Sequence, residues 1–375
     1  MGSSLSLDRS YGSVFIQTIN PTYMAGEQVD GFVHLNLIRD FPSNVLYLII
    51  SGEERVKLVS TSTHRDSEDR THTTVHVHKD KNEFYGHTFP LFAQNSDYFP
   101  GGQYSFPFSF KLLDNLPGSF RHTWYSHGHE CYGEVVYKLW AGLKDKKGKK
   151  GVFNELAMRV DQRYEFSDGP KTRNFQKHIK AYCYKDLGDF ALTCAFQKDT
   201  YRIGENANIL IGIDNSRGKV EVKKIKCRLL QIIHVQTKNN RHSETITKVC
   251  TRLDLPGLMP GMARIGNEAI PVILPIHTTS EDEATCSGTL VRNSFNLEIE
   301  TVLDACFCCE QHPKNDIDIK IFNKAPAPMQ SEMQIPNWQP EVMNPYVCIM
   351  TPEYRMTSEF KNELDINTDV NYPVF

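Results

Sequence analysis

The chain has 375 residues, 40% of them hydrophobic, 11% aromatic and 23% charged, which is material for about two packed domains of 100 to 200 residues and excludes disorder throughout. Its 42 Lys plus Arg against 45 Asp plus Glu leave a net charge of -3, so no global field draws the protein to nucleic acid and any anion binding has to be local. The longest uninterrupted apolar stretch is Val45 to Ile50, far short of the roughly 20 residues that a membrane-spanning helix needs.

The opening MGSSLSLDRS lacks the apolar core of a signal peptide, which sets the expectation of a cytoplasmic chain, and its Met1-Gly2 through Ser6 fits the pattern for N-myristoylation at Gly2. From there strand signals recur at short intervals with the period of two that one-sided burial on a sheet demands. Val29, Gly31, Val33, Leu35 and Leu37 share one face against Asp30, His34 and Asn36. The polar stretch from Thr61 to Asn82 carries His72, Thr74, His76 and His78 and reads as a strand with a solvated face. Tyr104, Phe106, Phe108 and Phe110 alternate with Gln103, Ser105, Pro107 and Ser109, which lines a core with aromatic rings from one strand. His122, His127 and His129 fall in a turn-rich segment before Cys131 and read as a loop. A strand through Val135, Tyr137 and Leu139 then runs into LKDKKGKKG, a hairpin tip with Lys144, Lys146, Lys147, Lys149 and Lys150 against the single Asp145. Such a cluster is attracted to anionic headgroups or phosphorylated tails, at about 1 kcal/mol per lysine near an anionic surface. Phe153 to Met158 has room for no more than one or two helical turns.

The segment SDGPKTRNFQKH is polar and aperiodic, and residues 166–180 read as a linker. Alternation resumes at Ile209, Ile211 and Ile213, at Phe295, Leu297 and Ile299, and at Ile317, Ile319 and Ile321. Asp316 and Asp318 are the solvent face of that last strand rather than an acid/base pair. Before it, Cys306, Cys308, Cys309 and His312 gather thiolate and imidazole ligands within seven residues, the most metal-like group in the chain, although structural zinc usually draws on two separated ligand pairs. A buried strand with small thiols and an acylated cluster are the other readings of the same cysteines. Ten cysteines without secretion are expected to be reduced. Residues 325–375 hold seven of the 19 prolines, seven acidic side chains and two basic ones, and read as an extended, mostly disordered tail. In it Tyr346-Val347-Cys348-Ile349 fits the YxxΦ pattern that sorting adaptors take up as an extended strand, with Tyr346 and Ile349 in separate pockets.

An internal repeat organises these runs. Thr22, Tyr23, Gly26 and Glu27 recur as Thr200, Tyr201, Gly204 and Glu205 at one offset of 178 residues, and both copies lead into an alternating strand. The two glycines read as turn residues, since glycine admits positive φ at a hairpin entrance. The chain is therefore expected to be two versions of one sandwich, over residues 10–165 and 181–324, followed by the tail.

The order of YxxGExVxGxVxL, PGGQYSFPFSFKLLDNLPGSF and YGEVVYKLWAGL resembles the N-terminal domain of arrestin-domain-containing proteins, the alpha-arrestins. TYRIGENANILIGIDNSRGKVEVKKIKCRLLQ resembles the opening of that family's C-terminal domain. The resemblance covers residues 10 to 323 and implies an all-β chain of two tandem immunoglobulin-like sandwiches, of about seven or eight strands each. It further implies an adaptor without enzymatic activity or cofactor. That adaptor would link cytosolic segments of membrane proteins to endocytic, endosomal sorting and ubiquitination machinery, peripheral at the plasma membrane or endosomes. Two departures bear on this. No PPxY motif occurs, so direct docking in the WW domains of ubiquitin ligases is not expected. The first strand, GSVFIQTI, lacks the basic pair with which receptor-binding arrestins sense phosphate. Arg159 and the acidic loop Glu281, Asp282 and Glu283 are the candidates for an interdomain polar pair.

Phosphate-cradling GxxxxGK(S/T), Rossmann glycine, GxSxG and HExxH patterns are all absent from the sequence, which argues against the common enzyme classes. The alternative to an adaptor is a metal-binding sensor or enzyme built on the histidine and cysteine clusters, with Cys306, Cys308, Cys309 and His312 as its ligands.

Overall fold

Alternating burial runs through the chain as the sequence demands, and it resolves into strands almost everywhere. The computed structural model describes residues 6–7, 9–66, 69–147, 150–164, 169–181, 185–278, 283–305, 312–323 and 341–342. The first half forms β1 (Ser6–Leu7), β2 (Gly12–Thr18), β3 (Thr22–Met24), β4 (Gln28–Leu37), β5 (Val45–Arg65), β6 (Thr71–Ala93), β7 (Gly102–Lys111), β8 (Phe120–Ser126), β9 (His129–Lys144) and β10 (Lys150–Asp161). The second forms β11 (Lys171–Ala181), β12 (Lys185–Phe196), β13 (Thr200–Arg202), β14 (Asn206–Asp214), β15 (Val222–Gln236), β16 (Ser243–Leu258), β17 (Ala263–Arg264), β18 (Ile270–Pro275), β19 (Cys286–Ser287), β20 (Val291–Leu303) and β21 (Lys314–Phe322). From the tail, Glu341–Val342 forms β22. Among the described residues the only helical element is one 3-10 turn at Gly266–Glu268, so no helix there is long and apolar enough to cross a membrane.

Four sheets make two sandwiches. In the first, the order β1-β10-β9-β5-β6, with β3 on β10 and β8 on β9, faces β2-β4-β7-β22. In the second, β11-β12-β14-β17, with β18 on β14, faces β13-β21-β20-β15-β16, with β19 on β20. The aromatic stripe of β7 behaves as its pattern requires: Phe106, Phe108 and Phe110 are buried, and Phe106 lies 5.2 Å from Phe92 and 6.2 Å from Phe99, centroid to centroid. Each such ring contributes about 1.5–3 kcal/mol by leaving water.

The repeat is a structural one. β3 pairs in parallel with β10, Tyr23 opposite Val160, and β13 pairs in parallel with β21, Tyr201 opposite Ile321. Glu27 N donates to Met24 O at 2.9 Å and Glu205 N to Arg202 O at 3.0 Å, closing the same four-residue turn. Gly26 and Gly204 occupy its third position with φ of 84° and 93°, a conformation that a Cβ disfavours.

Four local expectations change. Phe153–Met158 is β strand within β10, not helical turns, because both faces of β10 are partly covered: Phe153 stacks on Trp140 with centroids 5.5 Å apart. His122 and His129 are not loop residues. They sit on β8 and β9, and the turn between is only His127-Gly128, both with positive φ (51° and 76°), as a two-residue hairpin prefers. The linker reading of 166–180 gives way at Lys171, where β11 begins. Its inward side chains include Phe175 and Ile179 while the rest of KTRNFQKHIKA is polar, so the strand shows little hydrophobic signal. His34, assigned to the solvent face of β4, is buried: its Nε2–H donates to Gln17 Oε1 (3.1 Å) and its Nδ1 accepts from Ser105 Oγ (3.1 Å) between Phe15 and Phe32, and burial lowers its pKa.

Candidate functional site

The region richest in buried polar chemistry is the joint between the two sandwiches. Its apolar part is continuous with the first core, which takes in Ile233, Val235, Cys286, Leu290 and Val291 from the second half. Around it the first sandwich offers acceptors to the second. Glu54, 1% exposed, takes the N–H groups of Leu290 (2.9 Å) and Val291 (3.2 Å) on Oε1, and Asn82 Nδ2 (2.9 Å) on Oε2. Gly288 allows this approach, since a Cβ there would fall 2.0 Å from Glu54 Oε1. Gln162 Oε1 accepts from Ser287 N at 2.8 Å, and the Asp161 carboxylate from Asn323. Burial pushes the Asp161 carboxyl up, while the Asn323 donors and the charges of Arg202 and Arg159 pull it back.

Histidines complete the joint. His122 on β8 is buried, and Glu283 Oε1 lies 2.6 Å from its Nδ1 while Lys248 Nζ lies 2.8 Å from its Nε2. An ammonium only donates, so Nε2 is the acceptor and Nδ1–H donates to the carboxylate, which assigns the neutral Nδ1–H tautomer. Trp124 stacks on the ring, 6.0 Å away and 9° from parallel. Asn293 holds the acidic segment through bonds to Glu283 O (2.9 Å) and Ala284 O (2.8 Å). Farther out, His78 on β6 stacks on His242 with centroids 3.5 Å apart, and Asp80 Oδ2 accepts Lys238 N at 2.9 Å.

The second feature is the set of sheet edges. β5 pairs with β9 only as far as Lys57, so Leu58–Arg65 and the facing part of β6 continue as a two-stranded ribbon. Thr71 to Val77 is exposed on both faces. β6 and β16 are outermost in their sheets, with no further strand on them among the described residues. The β7 edge is used by the chain itself: β22 pairs with it in parallel, Glu341 opposite Tyr104 and Val342 opposite Ser105.

The lysine group is dispersed rather than presented as one patch. Lys144 closes β9 half-buried, 5.7 Å over the Trp140 ring, and burial pushes its ammonium down to about 8. Lys146 pairs with Asp97 at 2.5 Å, Lys147 is exposed, and the Lys150 backbone pairs with Ser6 of β1. Lys149 lies outside the described residues, as do Gly2, Tyr346, Ile349, Cys306, Cys308 and Cys309. Of the proposed metal group only His312 is described, and its Nδ1 accepts Leu303 N at 3.4 Å. Among the described residues no three His, Cys, Asp or Glu side chains gather as a metal would need.

Of the acidic loop expected to face Arg159, Glu281 and Asp282 lie outside the described residues and Glu283 meets His122, while the charge of Arg159 acts on Asp161 two residues along β10. Sequence reasoning missed Glu54 and the role of His122, yet a signal was present. Glu54 is in phase with Leu46, Leu48, Ile50, Val56 and Leu58, the buried face of β5, and a carboxylate on an apolar face has to find donors.

Comparison with known proteins bears on both halves. The model of the arrestin (or S-antigen) N-terminal domain matches residues 13–160, and that of the arrestin (or S-antigen) C-terminal domain residues 187–326. Arrestin domain-containing protein A of Dictyostelium discoideum is 23% identical over 304 residues, which covers 76% of this chain and 48% of that protein. The chain thus spans about half the length of this curated relative.

Proposed function

Since the chain belongs to the arrestin-domain family, we propose that it is a non-catalytic adaptor in membrane-protein trafficking, which grips extended cytosolic segments of cargo along its sheet edges. The observation that carries this reading is β22 on β7, where a sheet edge of this protein takes up an extended segment through backbone pairing. Backbone groups on an edge give affinity with little demand on sequence, which suits an adaptor that serves several membrane proteins. The open edges of β6 and β16 offer the same chemistry. On this reading the protein works in the cytoplasm, peripheral at the plasma membrane or endosomes, and Lys144, Lys146 and Lys147 add attraction to an anionic surface. The sequence has no PPxY, so this reading does not rest on docking of a ubiquitin ligase through that motif.

Proximity labelling with the full chain in cells tests the proposal. The expected catch is membrane proteins with cytosolic tails together with endocytic and endosomal sorting components. A catch of soluble metabolic proteins, without membrane proteins above background, would overturn it.

A further inference from the structure

Two of the contacts that hold the sandwiches together use histidines that can keep their geometry only while neutral. At His122, Nδ1–H already donates to Glu283 and Nε2 accepts from Lys248. A second proton has only Nε2 to occupy, where it removes the acceptor and sets an imidazolium against an ammonium. Glu283 welcomes the added charge, so the bond given up is the one to β16. The other groups around this ring offer no compensation. Cys250, one turn of the pleat beyond Lys248, has its thiol pushed up to about 11 by burial, and Gly133, opposite on β9, has no side chain.

The second contact is the parallel stack of His78 on His242. Burial, then the neighbouring charges of His242 and His76, hold the pKa of His78 below its ordinary value. Its Nε2 is spent on Ser60 Oγ at 2.9 Å, and His76 is likewise paired with Ser62 Oγ at 2.9 Å. Asp80, two residues along β6, accepts Lys238 N on Oδ2. Lys238 and Arg241 share the turn with His242, and Glu244 is the second residue of the strand after it. Two imidazolium rings stacked at this distance, among these cations, repel.

We propose that the joint is an acid-released clasp: protonation of His122 and of the His78–His242 pair breaks the Lys248 bond and the ring stack, and the two sandwiches part while each stays folded. The sign follows from the lowered pKa of His78. At the His78–His242 stack the closed contact binds fewer protons than the released one, so its advantage is complete above the ordinary histidine range and is lost as pH falls through the depressed value of His78. Each proton taken up on release shifts the opening equilibrium by up to about tenfold per pH unit below that range.

Hydrogen exchange on the full chain, at about pH 7.5 and about pH 5.5 and corrected for intrinsic rates, reads this directly because the two conditions bracket histidine titration. The amides of Leu290, Val291 and Lys238, which bond across the joint, are expected to lose about tenfold in protection at the lower pH for one linked proton. Core amides of β7 and β14 are expected to keep theirs. His78→Phe, which keeps a stacking ring without a titrating nitrogen, combined with His122→Gln, is expected to reduce that drop to less than about twofold. Unchanged protection in the parent chain, a loss shared equally by the cores, or the same drop in the double variant would each overturn the clasp. Should the double variant not fold, His78→Phe alone has to diminish the drop at Lys238, and an undiminished drop there overturns the proposal as well.

Discussion

Truncating Glu54 should uncouple the two sandwiches. In Glu54→Ala the amides of Leu290 and Val291, now 2.9 and 3.2 Å from one carboxylate oxygen, stay buried and lose their acceptor. An unsatisfied buried donor costs about 1–3 kcal/mol, and bonds to a charged acceptor lie in the upper part of that range. The pair therefore amounts to about 3–5 kcal/mol, reduced towards about 3 kcal/mol by water entering the space the carboxylate leaves. Glu54→Gln keeps an oxygen for the two amides and turns its nitrogen towards Asn82 Nδ2, which can rotate its amide to accept, so its cost is about 1 kcal/mol. The assay is urea denaturation of the full chain, followed by tryptophan fluorescence, to which Trp124 and Trp140 report from the first sandwich, and by circular dichroism of both. Because the lost bonds cross the joint, the Glu54→Ala loss should also split one transition into two, the sandwich with the weaker remaining core melting first. A loss below about 0.5 kcal/mol with one coincident transition would refute the assignment of Glu54 as the main acceptor of the joint, since that is within the range of ordinary surface substitutions.

The repeated turn offers an internal comparison. Gly204→Ala should cost about 1–2 kcal/mol in thermal or urea unfolding from positive φ alone, whereas Gly26→Ala should cost more, because its Cβ would also lie 2.0 Å from Asp114 Oδ1 and displace the Asp114–Arg163 pair; equal losses would contradict this. Lys144, pushed down to about 8, should be the hairpin lysine most readily dimethylated by formaldehyde and a borohydride at about pH 8, where an ordinary lysine is almost wholly charged; mapping by mass spectrometry with Lys144 modified last would refute the shift. Binding to anionic vesicles should appear at low salt and fade as salt rises, and should weaken several-fold when Lys144, Lys146 and Lys147 become Gln, whereas retained binding would remove the hairpin from any membrane role. Cys194, Cys227 and Cys286, whose thiols burial pushes up to about 12, should resist iodoacetamide in the folded chain and react after unfolding; rapid alkylation of any of them while folded would place it at the surface.

What was legible in the sequence follows from how each feature is encoded. One-sided burial repeats every two residues, so β14 and β21 could be read residue by residue, as could β4 and β7 apart from the buried His34 and Ser105, and a duplicated Tyr-x-x-Gly-Glu disclosed the duplication of the whole sandwich because both copies make the same turn and the same parallel pairing. The alternation fails where a strand is covered on both faces, as at Phe153 and Leu156 of β10, or where only two side chains point inward, as in β11. The joint leaves a different trace. Its bonds connect residues 125 to 237 positions apart, beyond any local pattern, but two of its buried contacts show on one side as a polar residue in an apolar phase: Glu54 in line with Ile50 and Val56, and His122 between Phe120 and Trp124. A buried acid or imidazole costs free energy unless it is partnered, so such a residue in such a place points to a donor or acceptor elsewhere in the chain. For Glu54 and His122 the distant partners come from the other sandwich: Leu290 and Val291 for the one, Glu283 and Lys248 for the other. Glu54 and His122, polar residues that break the hydrophobic pattern of the first sandwich, therefore specify how the second docks.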